Sequence, residues 1–440
     1  MRFLSETELT SRLSRCAPGV RVISSGNFAA PYRLLSILDR CLESYRLYML
    51  NAQAGIPDRP GVALETSFVG PGMRSSPRLR YLPCRLSLVP RLFSTTITPD
   101  VVVVKTSAPR SGTVSLGIEV NILPAAIEAV RRRSGLVIAE VNPQMPYTHG
   151  DAVIPLDDID YAIVADEPLP SPSAGTPDDT ALSIGERVAA RVADGSTLQL
   201  GIGAIPDAAL HGLAGRHGLR IWSEMVSDGV LALERTGVLD PWAPVTASFL
   251  FGSAELYRWA HQNPRLHMLR TETTNDPSRI HAHDRMVSIN TALQVDLYGQ
   301  VNASRIGGRI HSGFGGQTDF IVGALHSRDG QAIIAVRSWH PRADCSTIVP
   351  MVEEPVTSFQ PSAVVTEQGT AEIFGRPEAE QAAHLIDRAA HPRVREELWE
   401  EARALGLHPE SARPGRTSAV LEGAETGPPR PSQTVSGPNR

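Results

Sequence analysis

Lysine is almost missing from this chain. Lys105 is the only one, so arginine must do nearly every cationic job, a usage that reads as the codon bias of a GC-rich genome. The formal net charge is only -5, and the arginines are scattered among acids rather than massed in a stripe, which argues against a nucleic-acid-binding surface. Cysteine is scarce as well. Cys16, Cys41, Cys84 and Cys345 lie far apart and form no CxxC or Cys/His spacing, so neither a disulfide framework nor a metal site is indicated. A reducing, cytoplasmic setting fits this usage. The opening residues MRFLSETELTSRL lack a long apolar region, and no apolar run reaches the roughly 18 residues of a membrane span, so neither a targeting step nor membrane association is expected.

What remains is a soluble globular composition, 42% hydrophobic and 20% charged. At 440 residues the chain exceeds one ordinary core. Apolar spacing suggests a helix within Pro31 to Leu50, while Val62 to Phe68 alternates like a strand. The run DVVVVK at 100–105 holds four successive β-branched valines, as in a parallel strand covered on both faces. Pro124 to Arg133 then reads as helix, Gly135 to Val141 and Tyr161 to Ala165 as strands. The Pro- and Ser-rich stretch 167–180 reads as a linker. A second strand-helix series starts at Thr197, with strands expected at Val245 to Phe251, Val287 to Leu297, Ala332 to Val336, Thr347 to Val352 and Ala363 to Thr366. The expected architecture is therefore two successive α/β domains with mostly parallel sheets and a cleft between them. Their bounds are 1–180 and 181–410, followed by a disordered tail at 411–440 that is dense in Pro, Gly, Ser and Thr.

Two glycine-rich loops stand out. Gly201, Gly203, Ala204, Ile205 and Pro206 make a strand-to-helix turn that is either a plain tight turn or an anion cradle, because a lone GxG does not decide. The loop His311 to Phe320, with Gly313, Phe314, Gly315, Gly316 and Gln317, has successive glycines that let a backbone approach a ligand or aim its amides at an oxyanion. Glu224 follows a short β-type run, Leu219 to Trp222; alone it would read as a solvated acid, and Asn275-Asp276-Pro277 alone as a turn.

Taken together and in order, GIGAIPDAAL, WSEMVSDGV, TTNDPSRI, MVSINTALQVDLYGQVNASRIG, SGFGGQTDFIVGA and VVTEQGTAEIFG resemble the acetyl-CoA hydrolase/transferase family. The likeness extends upstream through YLPCRLSLVP, DVVVVKTSAPRSGTVSLGIEVN and EVNPQMPYTHGDAVI. The resemblance implies that Glu224 is the catalytic carboxylate, attacking an acyl-CoA thioester to give an acyl-glutamyl anhydride and then a glutamyl-CoA thioester. It further implies that Asn275, with Gly315 and Gly316, faces the reacting carbonyl. The Gly201 to Pro206 turn, Gly313, Phe314 and Gln317 would line the coenzyme A site. No prosthetic group is expected, since coenzyme A enters as a thioester substrate. The partners implied are acyl-CoA and a carboxylic acid, with the chain in a homodimer or larger even assembly.

Glu367 in the VTEQG segment is read as structural or substrate-lining, and Asp228 and Asp319 as holding loops or capping helices. His311 and His326 are given no acid/base role. The sequence departs from the family pattern at Ser107 to Gly112 and at Gln368, where many relatives carry Tyr, and both departures bear on which acid is accepted. The same site would also serve a hydrolase if water reached the intermediates, and a non-catalytic acyl-CoA-binding protein is the third reading.

Overall fold

The computed structural model describes residues 1–172, 175–201 and 203–408. The tail expected to be disordered, 411–440, lies outside these residues, as do two residues of the linker and Ile202 of the first glycine turn.

Two large sheets organise the chain. Among the described residues the first has eight strands in the order Arg2–Phe3, Tyr161–Val164, Leu136–Val141, Val101–Thr106, Val20–Ser24, Tyr45–Tyr48, Val62–Thr66 and Leu79–Tyr81, all parallel. Val101–Thr106 sits at its centre with every residue buried, as an unbroken β-branched run requires when helices cover both faces. Its last-but-one residue is Lys105, whose Nζ lies 3.0 Å from Glu140 Oε1 inside the sheet's packing. The other Glu140 oxygen accepts the Leu34 N–H at 2.8 Å. The pair is thus matched charge for charge where an isolated one would be costly.

The second sheet has nine strands among the described residues, ordered Gly369–Glu372, Ala363–Thr366, Gln331–Ala335, Met286–Asn290, Thr197–Leu200, Arg220–Trp222, Val245–Ala247, Leu266–Met268 and His149–Gly150. All neighbours are parallel except the hairpin Ala363–Thr366 with Gly369–Glu372. The mostly parallel α/β architecture read from the sequence is therefore present. His149–Gly150 precedes the linker yet pairs with Leu266–Met268, so the first half supplies the last strand of the second sheet. One continuous apolar core runs from Ile23 through Val102 and Leu198 to Val365, spanning both sheets.

Several elements differ from expectation. The helix within Pro31 to Leu50 stops at Cys41, and Tyr45–Tyr48 is a strand with a buried, exposed, buried, buried pattern. Its apolar residues fit both periods, and pairing with Val20–Ser24 and Val62–Thr66 decides the matter. Val245 to Phe251 divides into Val245–Ala247 and Phe249–Leu250, and Val287 to Leu297 into Met286–Asn290 and Gln294–Asp296. Among the described residues no helix is long and apolar enough to cross a membrane.

Candidate active site

In parallel α/β sheets, ligands gather at the carboxyl ends of the strands. Here the carboxyl ends of both sheets point into one region. Val20–Ser24 leads to Asn27, Tyr45–Tyr48 to Asn51 and Val62–Thr66 to Phe68; from the other side Thr197–Leu200 leads to Gly201, Arg220–Trp222 to Glu224 and Val245–Ala247 to Phe249. Backbone bonds close the two sides together, Val69 N to Ser312 O at 2.7 Å, Leu250 N to Ile118 O at 2.9 Å and Thr271 N to Asn121 O at 3.0 Å.

Glu224 occupies the gap between Arg220–Trp222 and Met225–Val226, and its carbonyl accepts from Ser248 N at 2.7 Å and Phe249 N at 3.0 Å. That double anchor fixes its backbone and leaves the side chain to face a cavity of about 230 Å³. Asn275 Nδ2 donates to Glu224 Oε2 at 2.7 Å. The amide is oriented in turn, because Thr274 Oγ1 donates to Asn275 Oδ1 at 2.7 Å and so turns the NH₂ toward the carboxylate. Asn275 is fully buried as the C-cap of the short helix Thr271–Thr274.

The second glycine loop completes this wall. A Cβ on Gly316 would lie 2.1 Å from Glu224 Oε2 and 2.3 Å from Asn275 Nδ2, so only glycine lets the backbone come this close. Gly315 has φ +58° and sits against the Phe68 ring, a left-handed turn that glycine adopts without strain. Gly316 then caps the helix Gln317–His326. Asp319 in its first turn accepts from Ser87 N at 3.2 Å and Ser87 Oγ at 2.9 Å, pinning the loop to the first half of the chain.

Burial pushes the Glu224 carboxyl up to about 7, with the nearby Asp319 charge adding to it and the Asn275 hydrogen bond opposing it. Asp319 is itself raised to about 6 by burial, against the pull of Ser87 and Arg85. A carboxylate that has lost part of its water shell is a stronger nucleophile than a solvated one.

The predicted residues divide in two. Glu224, Gly201, Gly313, Phe314, Gly315, Gly316 and Gln317 all line the same cavity, and Asn275 stands directly behind Glu224. Gly203, Ala204, Ile205 and Pro206 lie outside its lining: the helix opens at Ala204, with Gly203 and Ala204 exposed and Ile205 and Pro206 buried. Glu367 holds Ser338, whose N–H and Oγ both donate to it, and Asp228 likewise holds Ser253. A larger cavity of about 890 Å³, between Tyr298, Phe359 and Arg376, includes neither Glu224 nor Asn275.

Sequence reasoning missed a second buried carboxylate. Glu119 accepts from Asn27 Nδ2 at 2.7 Å and Asn121 Nδ2 at 2.9 Å, and Asn51 Nδ2 donates on to Asn27 Oδ1 at 2.7 Å. Burial raises Glu119 to about 7, and the Glu224 charge contributes in the same direction. Asn27, Asn51 and Asn121 all have positive φ, 44°, 45° and 35°, a region that asparagine tolerates better than most residues. Asparagine a few residues beyond a β-type run is the available signal, and it is a weak one.

Two parallel sheets whose carboxyl ends enclose a partly desolvated carboxylate, an amide donor and a glycine-rich wall define a two-part α/β enzyme equipped for acyl chemistry. Comparison with known proteins makes the class specific. Sequence profiles of the acetyl-CoA hydrolase/transferase N-terminal and C-terminal domains match residues 62–172 and 252–402. The 4-hydroxybutyrate coenzyme A transferase of Clostridium kluyveri is 40% identical over 340 residues, covering 74% of this chain and 78% of that protein. The succinyl-CoA:acetate/propanoyl-CoA:succinate CoA transferase of Fasciola hepatica is 34% identical over 414 residues, 87% of this chain and 84% of that one. The solved 4-hydroxybutyrate CoA-transferase of Porphyromonas gingivalis superimposes with a TM-score of 0.78 at 33% identity, covering 92% of this chain and 98% of its own. The chain belongs to the acetyl-CoA hydrolase/transferase family and is an enzyme of the CoA-transferase kind.

Proposed function

We propose that this enzyme moves coenzyme A between an acyl-CoA and a short or medium carboxylic acid, with Glu224 as the covalent relay. The ionised carboxylate attacks the thioester carbonyl, the C–S bond breaks, and an acyl-glutamyl anhydride forms as CoA thiolate leaves. The thiolate attacks the glutamyl carbonyl of the anhydride, releasing the first acid and leaving a glutamyl-CoA thioester. A second carboxylate attacks that thioester and expels the thiolate, giving a new anhydride. The thiolate then attacks the incoming acyl carbonyl, which yields the new acyl-CoA and restores Glu224. Only an acid side chain passes through both anhydride and thioester and returns unchanged.

The observation that carries this reading is the contact among Glu224, Asn275 and Gly316. The Asn275 N–H at 2.7 Å is a fixed dipole beside the reacting group, and a donor of that kind is worth roughly 2.7 to 4 kcal/mol to a developing oxyanion. Gly201, Gly313, Phe314 and Gln317 border the cavity and are proposed to contact the acyl-CoA, and Pro206 packs beside Gly201, its Cγ 3.6 Å from where a Cβ on that glycine would stand. Incubation with acetyl-CoA followed by intact-protein mass spectrometry is the test. A CoA adduct mapping to Glu224, and turnover that requires an added acid, support the proposal. Thiol release that ignores the acid makes the enzyme a hydrolase, and binding without adduct or turnover makes it an acyl-CoA-binding protein.

A further inference from the structure

Buried carboxylates elsewhere in the chain have a cation or backbone donors. Glu65 meets Arg21 at 2.8 Å, Glu140 meets Lys105 at 3.0 Å, and Asp296 accepts the N–H groups of Tyr298 at 3.1 Å, Gln300 at 2.8 Å and Val352 at 3.0 Å. Glu119 has neither. It is buried, each of its oxygens accepts one carboxamide hydrogen bond, from Asn27 and from Asn121, and among the described residues no cation pairs with it. Glu224 is in the same condition, with the Asn275 amide as its partner and no cation. One such carboxylate ionises reluctantly in a dry site, and two close together cannot both do so cheaply.

Backbone holds the two near each other. Glu119 forms an antiparallel bridge with Phe249, flanked by Val120 N to Ser248 O at 3.0 Å and Leu250 N to Ile118 O at 2.9 Å. Ser248 N and Phe249 N are the groups that anchor the Glu224 carbonyl. Asn27 and Asn121, the side chains bonded to Glu119, also wall a small cavity of about 40 Å³ that Glu224 borders. Among the described residues few charges bear on the pair: Glu224 acts on Glu119, Asp319 on Glu224, and Arg85 and Asp276 on Asp319. The charge on Glu224 is not constant. It is present in the free carboxylate and absent from the anhydride and the thioester, so the field at Glu119 changes as the covalent intermediates form and decay.

Resting on the reading of Glu224 as the covalent relay, we infer that Glu119 is a positioning residue that is protonated while Glu224 is ionised and gives that proton to solvent when Glu224 is acylated, so that the pair carries a single negative charge throughout. All bond changes to the substrate stay at Glu224. Acetyl-CoA and the Glu224 carboxylate give the glutamyl-CoA thioester and acetate, one anion for another, so the proton set free comes from Glu119. Glu119 acts through its neighbour, sparing the nucleophile a like charge during attack and replacing that charge once it is consumed.

The test is an infrared pH titration of the C=O band of protonated buried carboxyls, recorded on the free enzyme and on its CoA adduct formed with acetyl-CoA. The expected result is a surviving band in the adduct whose midpoint lies below that of the last carboxyl to titrate in the free enzyme, by about one pH unit, the size at which two sites titrate as a pair. Glu119→Gln should lack this band in the adduct. An unmoved midpoint overturns the inference without needing that variant to fold. If no adduct forms, the covalent-relay reading fails separately. Glu224→Gln, which also removes the charge, then carries the test: a Glu119 midpoint lower than in the unmodified enzyme supports the coupling, and an unchanged one overturns it.

Discussion

Replacing Gly316 by alanine adds one methyl group at the most crowded point of the site. The new Cβ would stand 2.1 Å from Glu224 Oε2, 2.3 Å from Asn275 Nδ2 and 3.3 Å from Glu224 Cδ. Carbon atoms of this kind do not approach a heavy atom within about 3.0 Å, so the carboxylate, the amide or the loop must retreat by at least roughly 0.9 Å. The loop has little freedom, because Asp319 ties its helix to Ser87 and Leu86 N reaches Gly315 O at 3.4 Å. The retreat therefore falls on the Glu224–Asn275 pair. Misplacing a reacting group by about 1 Å costs on the order of 10²-fold, and losing an oxyanion donor costs about 10²- to 10³-fold. Gly316→Ala should accordingly lower kcat by about 10² to 10³ and slow formation of the CoA adduct by the same factor, with little change in melting temperature. Gly215→Ala is the control, since a Cβ there meets nothing within 4 Å. Wild-type adduct formation by Gly316→Ala would refute the claim that this close approach sets the geometry of the nucleophile.

Other perturbations test the electrostatics. Glu224→Gln should abolish both turnover and adduct, yet melt higher than wild type at pH 8 by on the order of a few degrees. The sign follows from a folded pKa of about 7 that lies above the unfolded value: ionisation costs stability fully above about pH 7 and not at all below about pH 4. The difference in melting temperature should therefore shrink toward pH 5, and a constant difference would contradict it. In the pH profile, kcat/KM should rise through about 7 as Glu224 ionises. Asn275→Ala removes a hydrogen bond that favours the charged form, so it should move this limb upward while lowering kcat by about 10² to 10³. Asp319→Asn removes a charge that opposes ionisation and should move the limb downward; an unmoved limb would detach Asp319 from the nucleophile.

The parts legible in the sequence were those with a local cause. Val101–Thr106 announces itself because four successive valines mark a strand buried on both faces. Tyr45–Tyr48 does not, because a short apolar stretch beside a helix becomes a strand only through partners distant in sequence, Val20 pairing with Tyr45 on one side and Val62 on the other. Glu224 carries no signal of its own; it gained meaning from the segments placed around it, and the fold brings Gly201, Asn290 and the Gly313–Gln317 loop to its cavity, with Asn275 behind it. The Asn27, Asn51, Glu119 and Asn121 cluster was illegible for the opposite reason. Asn27, Asn51 and the Glu119–Asn121 pair come from three separate loops, and each alone resembles an ordinary turn residue or surface acid.

The solitary lysine has a practical consequence. An endoprotease specific for lysine finds one cleavage point in this chain, and that point lies inside a central parallel strand with its ammonium held on Glu140. The native enzyme is expected to resist such a protease, whereas any excursion that opens the first sheet exposes the bond and divides the chain once. When opening and reclosing are fast relative to cleavage, the rate of that single cut reports the free energy of opening. The composition has thus supplied a built-in gauge of how firmly the half opposite Glu224 stays folded, readable on a gel without any engineered label.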